Sequence, residues 1–176
     1  MMSINRQPYI DNIMNRFKAN VAVAKGSLEN EIYISTNKEN LEDICTYIHK
    51  TFQAPLSSII CNDERNLNKS FTIYYVFSLP DKDLFFIVYV LISEQSPNFP
   101  SITPYIPAAH WYEREIKDMF GLEPVGHPDP YTLVLHGNMP EDTYPLRKDF
   151  ATNTRLPHLE SKLPFARVDG EGVFEI

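Results

Sequence analysis

The sequence predicts an α/β (α+β) domain of two layers, a mixed, largely antiparallel sheet packed against helices, followed by a Pro-rich extended C-terminal tail. Three observations carry this expectation. Apolar residues recur at helical spacing in three segments and in short β-prone runs in five. These segments come in the order helix, two strands, helix, three strands, helix, and prolines crowd the chain after Gly121. At 176 residues and 43% apolar content the chain can bury one ordinary core, so the expected division is a compact domain over 1–121, an ordered connector over 122–150 and an extended tail over 151–176.

Ile10, Ile13, Met14 and Phe17 fall at i, i+3, i+4 and i+7 and line one face of a first helix over 9–19. Residues 21–24 and 31–35 are β-prone runs separated by Lys25, Gly26 and Ser27, a hairpin-like turn in which the glycine supplies a permissive backbone. Asn37 is placed to cap a second helix by accepting from first-turn amides, and Leu41, Ile44, Cys45, Ile48 and Phe52 repeat behind it at helical spacing. Strands follow over 56–61, 71–79 and 84–93, and the tight connection Pro80, Asp81, Lys82, Asp83 makes the last two an antiparallel pair. Phe71, Ile73, Tyr75 and Phe77 take one face of the middle strand. Tyr74 and Val76 stand on its more polar face, so partial cover is expected on both sides.

Pro107 sits near the first turn of a third helix over 108–120, where its missing amide does no harm. Tyr112, Ile116, Met119 and Phe120 share a face and Gly121 is the stop. Beyond it, Pro124, Pro128, Pro130, Pro140, Pro145, Pro157 and Pro164 exclude a long helix or a central strand, leaving extended segments laid on a surface. Between 147 and 168 the basic Arg147, Lys148, Arg155, Lys162 and Arg167 outnumber Asp149 and Glu160, and so polar a tail is expected to order on a partner.

Composition excludes several functions. A net charge of −7 without a basic stripe argues against nucleic-acid binding, which needs clustered cations. The N-terminal residues lack the basic region and apolar run of a secretory signal, so a cytoplasmic chain is expected. The longest apolar run, 84–92, is about half of the roughly 20 residues that span a bilayer, so membrane association is expected only through partners. Cys45 and Cys61 read as small buried hydrophobes, and an iron–sulfur cluster typically needs four thiolates.

Candidate chemistry is sparse. His110, Glu113 and Asp118 on one helix, and His127, Asp129 and His136 in the connector, are imaginable metal ligands, but no matching second helix and no regular spacing supports either set. Loop-fixing hydrogen bonds are the better account of the second set. Glu113, Arg114 and Glu115 invite an acid–base reading, weighed against an ion-pair cluster at a helix start, which the helix dipole favours. The sequence contains no phosphate-cradling loop, nucleophile elbow or dinucleotide fingerprint.

The most specific signal is three ordered blocks: Glu113, Arg114, Glu115, Asp118, Met119 and Phe120; then Gly126, His127, Pro128 and Asp129; then Pro145, Leu146, Arg147, Lys148, Asp149 and Phe150. Together they resemble the signature of the thirty-kilodalton subunit family of the peripheral arm of respiratory complex I, with its counterparts in membrane-bound nickel–iron hydrogenases and formate hydrogenlyases. Residues 130–135 and 139–144 look more like the hydrogenase branch, although Tyr131 stands where that branch usually has Arg. The segment 165–176 is similar to the junction joining such a domain to the catalytic part of formate-hydrogenlyase large subunits, so an N-terminal module of a longer polypeptide is expected.

The resemblance implies a non-catalytic scaffold that docks a large hydrogenase-like catalytic subunit and its iron–sulfur small subunit at the inner face of the cell membrane. It implies no catalytic, cofactor or metal residue in this chain, with nickel–iron or iron–sulfur centres in partner subunits or a C-terminal continuation. The docking residues it suggests are Glu113, Arg114, Glu115, His127, Asp129, Tyr144, Leu146, Arg147, Lys148, Asp149 and Phe150. The thirty-kilodalton subunit of a true NADH:quinone oxidoreductase, complex I itself, is the runner-up. A small stand-alone metal-dependent enzyme built on the helix from His110 to Asp118 and a free regulatory adaptor are the readings from other classes.

Overall fold

The structure is a computed structural model that describes residues 5–135, 139–151, 153–157 and 159. The β-branched and aromatic runs form β1 (Val21–Lys25), β2 (Glu31–Thr36), β3 (Leu56–Asp63), β4 (Ser70–Leu79) and β5 (Leu84–Ser93), one sheet in the order β1-β2-β5-β4-β3. Within this sheet only β2 and β5 run parallel; the other neighbours are antiparallel. The parallel pair arises because the chain leaves β2 through α2 (Lys38–Thr51) and the β3–β4 hairpin before returning to the middle of the sheet. The mixed, largely antiparallel sheet read from the sequence is thus the sheet that forms.

Helices α1 (Gln7–Phe17), α2 and α4 (His110–Phe120) all pack on one face of the sheet. The rings of Tyr9 and Phe52 lie 5.7 and 5.1 Å from that of Phe86, and Phe120 lies 6.3 Å from Phe71. Phe71, Ile73, Tyr75 and Phe77 of β4 point into this layer and are fully buried, each worth about 1.5–3 kcal/mol of burial. Asn37 caps α2, its Oδ1 accepting from the Asn40 amide at 3.1 Å. Gly121 closes α4 at φ +68°, its amide bonded to the Lys117 carbonyl, and the Tyr144 ring occupies the space a Cβ would need.

Several details differ from expectation. α1 ends at Phe17 because Lys18 takes φ 49° and a 3-10 turn follows over Lys18–Asn20. Gly26 has no left-handed backbone; a Cβ there would lie 2.5 Å from the Cβ of Glu31 and 2.9 Å from the Tyr33 ring, so close approach demands the glycine. The four-residue helix α3 (Arg65–Asn68), ended by Lys69 at φ 64°, is too short to show a period. A parallel ladder between β6 (Asn98–Pro100) and β7 (Glu123–Val125) is likewise additional to the expected elements. Its prolines mask strand character, yet two isolated three-residue edges tolerate missing amides.

No helix among the described residues is long and apolar enough to cross a membrane. Most of the expected tail, from 160 onward, lies outside the described residues, as do 152 and 158.

Candidate functional site: a connector clamped to one helix

Successive residues of a helix point about 100° apart, so Glu113 leaves α4 in a different direction from Arg114 and Asp118. The expected ion-pair cluster at its start therefore does not form around Glu113. That side chain turns inward, is 0% exposed, and accepts from Ser101 Oγ at 2.5 Å, the Ile102 amide at 2.7 Å and Thr103 Oγ1 at 2.6 Å. A buried carboxylate needs such donors, and here two hydroxyls and one amide supply them. His127 Nε2 stands 3.9 Å from the same carboxylate.

Arg114 and Asp118 share one face at i and i+4, and both reach the connector. Arg114 donates from Nε to the Tyr131 carbonyl at 2.8 Å and from Nη2 to the Thr132 carbonyl at 3.0 Å. One oxygen of Asp118 accepts from the amides of Leu133, Val134 and Leu135 at 2.8, 2.7 and 3.1 Å. A cation thus holds the carbonyls and an anion the amides of the single stretch 131–135. Nearby, the Asp129 amide donates to His127 Nδ1 at 3.0 Å, which leaves the ring proton on Nε2, facing the His110 carbonyl at 3.2 Å. The two imidazoles lie 4.8 Å apart.

The closing block is fastened at the other end of α4. Arg147 Nε donates to the Phe120 carbonyl at 2.7 Å while its guanidinium covers the Tyr144 ring at 4.1 Å and Phe71 at 5.3 Å. The Leu146 amide reaches the Met119 carbonyl, and the Lys148 amide donates to Asp63 Oδ2 at 2.8 Å. Arg65 ties this corner together, pairing with Asp63 at 2.7 Å, Glu94 at 2.5 Å and Asp149 at 2.9 Å. Hydrogen bonds from Arg65 hold the Asp63 carboxyl well below the usual carboxylate range, and those to Asp63 raise the guanidinium in turn. Asp149 is lowered by the same arginine.

Of the residues expected to dock, Glu113 and His127 lie inside the fold, and Arg114, Arg147 and Asp149 hold the chain to itself. Asp129, Tyr144 and Phe150 are half-buried, whereas Glu115, Leu146 and Lys148 are exposed. The signature blocks thus build a platform. Sequence reasoning missed Trp111, 69% exposed, which with Pro107, Pro128, Leu133 and Val134 borders an open groove of about 890 Å³. Its signal was legible: a tryptophan off the apolar face of its helix. Asp63 and Arg65 carried no signal of this kind.

Among the described residues no three His, Cys, Asp or Glu side chains converge to hold a metal ion; His136 lies outside them. Asp129 and His127 form a loop-fixing hydrogen bond instead.

The chain is 42% identical over 120 residues to hydrogenase-4 component G of Escherichia coli K12, covering 68% of this chain and 22% of that one. It is 35% identical over 144 residues to formate hydrogenlyase subunit 5 of the same strain, covering 81% of this chain and 25% of the relative. It therefore spans about a quarter or less of the length of these two relatives. A subunit of the NADH-quinone oxidoreductase of Rhizobium johnstonii is 31% identical over 138 residues, with 77% of this chain and 68% of that one covered. A chain of the membrane-bound sulfane sulfur reductase, an archaeal respiratory membrane complex, shares the fold at a TM-score of 0.67 and 15% identity, covering 84% of this chain and 86% of that one. With the family match running over residues 34–156, from β2 through the last signature block, the chain belongs to the family of the 30 kDa subunit of respiratory-chain NADH dehydrogenase.

Proposed function

We propose that this chain is a non-catalytic scaffold module of a membrane-associated electron-transfer complex, of the formate hydrogenlyase or energy-converting nickel–iron hydrogenase type, that docks the large catalytic subunit. The observation that carries the reading is the clamping of 131–135 by Arg114 and Asp118. Glu113, Arg114, Asp118, Arg147 and Asp149 of the signature are engaged within the chain, so they make a rigid surface rather than a reactive centre. Trp111, Glu115, Leu146 and Lys148 are left exposed on it, an apolar and charged set suited to a protein partner. Identity of 42% to a hydrogenase component, against 31% to the NADH-quinone oxidoreductase relative, supports the hydrogenase branch over complex I proper. Redox centres then belong to the partner subunits, or to a continuation of the same polypeptide, and the module meets the membrane through them.

Coexpression with the hydrogenase-type large subunit of the same genome tests this. The two are expected to copurify, and a chain ending after Phe150 is expected to keep its fold but bind poorly. No copurification of the full chain refutes docking, and unchanged affinity of the shortened chain refutes the role of the tail.

A further inference from the structure

The helices cover one face of the sheet and leave the other open among the described elements. Register places Tyr33 of β2, Ile87, Tyr89 and Leu91 of β5, Tyr74 and Val76 of β4 and Ile60 of β3 among its outward positions, together with small polar residues such as Ser35, Ser58, Asn62, Thr72 and Ser78. A solvated sheet face ordinarily alternates into polar and charged residues. Here no Lys or Arg takes an outward position on any of the five strands, and Glu31 is the only carboxylate that does. Leu91 and Ile60 remain 47% exposed, Tyr33, Tyr74 and Tyr89 are half-buried, Ile87 is buried, and the Tyr74 and Tyr89 ring centroids lie 5.8 Å apart. Near absence of charged side chains together with several tyrosines is a feature of interface cores.

We propose that this open sheet face is the main docking surface for the large catalytic subunit, which would lay on it an apolar patch flanked by basic residues. The inference rests on the docking reading above and names the surface. Area supports it: β4 and β5 are each 10 residues long, so the face measures roughly 33 by 24 Å at its widest and roughly 600 Å² overall. That approaches the ~800 Å² each partner buries in a standard interface. Charge sets the rim. Glu31, beside Phe85, stands at one end of β5, and Glu64 stands toward the other, held over the face by Thr72 Oγ1 at 2.6 Å and the Tyr74 hydroxyl at 3.1 Å. A second copy brings the same two carboxylates, the same net charge of −7 and no outward cation to meet them, so it is the poorer occupant. A large partner fits the relatives too, in which the matched region is 22–25% of a much longer chain.

Leu91→Glu and Ile60→Glu test the proposal, since each new carboxylate is solvated in the free chain. Binding of the full-length variants to the large subunit is expected to weaken at least roughly tenfold, a carboxylate being buried there without a partner, with circular dichroism and melting unchanged. Undiminished affinity in both variants, with Leu146→Glu weakening binding, overturns the sheet face while docking stands. If the wild-type chain binds no large subunit, both readings fail. A wild-type homodimer at micromolar concentration that Leu91→Glu dissociates also overturns the proposal, because the occupant is then a second copy.

Discussion

Glu113→Ala separates a structural carboxylate from a reactive or docking one. In the native chain three donors converge on Glu113, and the Ile102 amide among them is buried against this carboxylate. Removing the carboxylate leaves that amide unpaired, at about 1–3 kcal/mol. The hydroxyls of Ser101 and Thr103 lose charge-assisted bonds but can turn toward each other, since the Thr103 amide already meets Ser101 Oγ at 3.2 Å, so they add about 1 kcal/mol each. The sum, about 3–5 kcal/mol, is a large share of a domain stability of about 5–15 kcal/mol. At about 2–4 °C per kcal/mol for a chain of this size, melting should fall by roughly 6–20 °C. Glu113→Gln keeps an oxygen for the Ile102 amide and should cost about 1–2 kcal/mol. Urea unfolding followed by circular dichroism reads both. If Glu113→Ala lies within about 1 kcal/mol of the native chain yet abolishes partner binding, the side chain acts on the partner and the argument from burial is refuted.

Three further outcomes follow from the clamps. Arg114→Ala or Asp118→Ala should free 131–135, detected as proteolytic cleavage there and as altered fluorescence of Trp111, the chain's single tryptophan; resistance equal to the native chain would refute the clamp. Arg65→Ala should destabilise by about 3–5 kcal/mol, because it strands the buried Asp63 carboxylate, and Asp63→Asn should recover part of that in the double variant; simple additivity would refute their coupling. Acid should release the corner: Asp63 and Asp149 sit below their ordinary values, so their contribution is full above about pH 4, the unfolded carboxylate range, and is lost as pH falls below it. Asp63→Asn should flatten that acid limb of the stability–pH curve, and an unchanged limb would place the acid sensitivity elsewhere.

How legible the molecule was depended on how local each feature is. The apolar periods of α2 and α4, the Asn37 cap, the Gly121 stop and the strands from β1 to β5 are written in neighbouring residues, because helix and strand geometry repeat over a few positions. The incomplete alternation at Tyr74 and Val76 was likewise visible and led to cover being expected on both faces; the two residues are half-buried, on a face that no described helix covers. The signature blocks identified the family for the same reason, as ordered residue types at fixed spacing. What those residues do was decided in three dimensions. Glu113 finds its donors on a different segment, Arg114 and Asp118 divide one loop into carbonyls and amides, and Arg65 meets Asp149 across 84 positions. No periodicity encodes such meetings, since they depend on the sheet order that brings β3, α4 and the connector to one corner. The residue types and their order therefore come from the sequence alone. Whether a charge faces a partner or its own chain is set by tertiary packing, because burial and hydrogen-bond geometry exist only once the layers have closed.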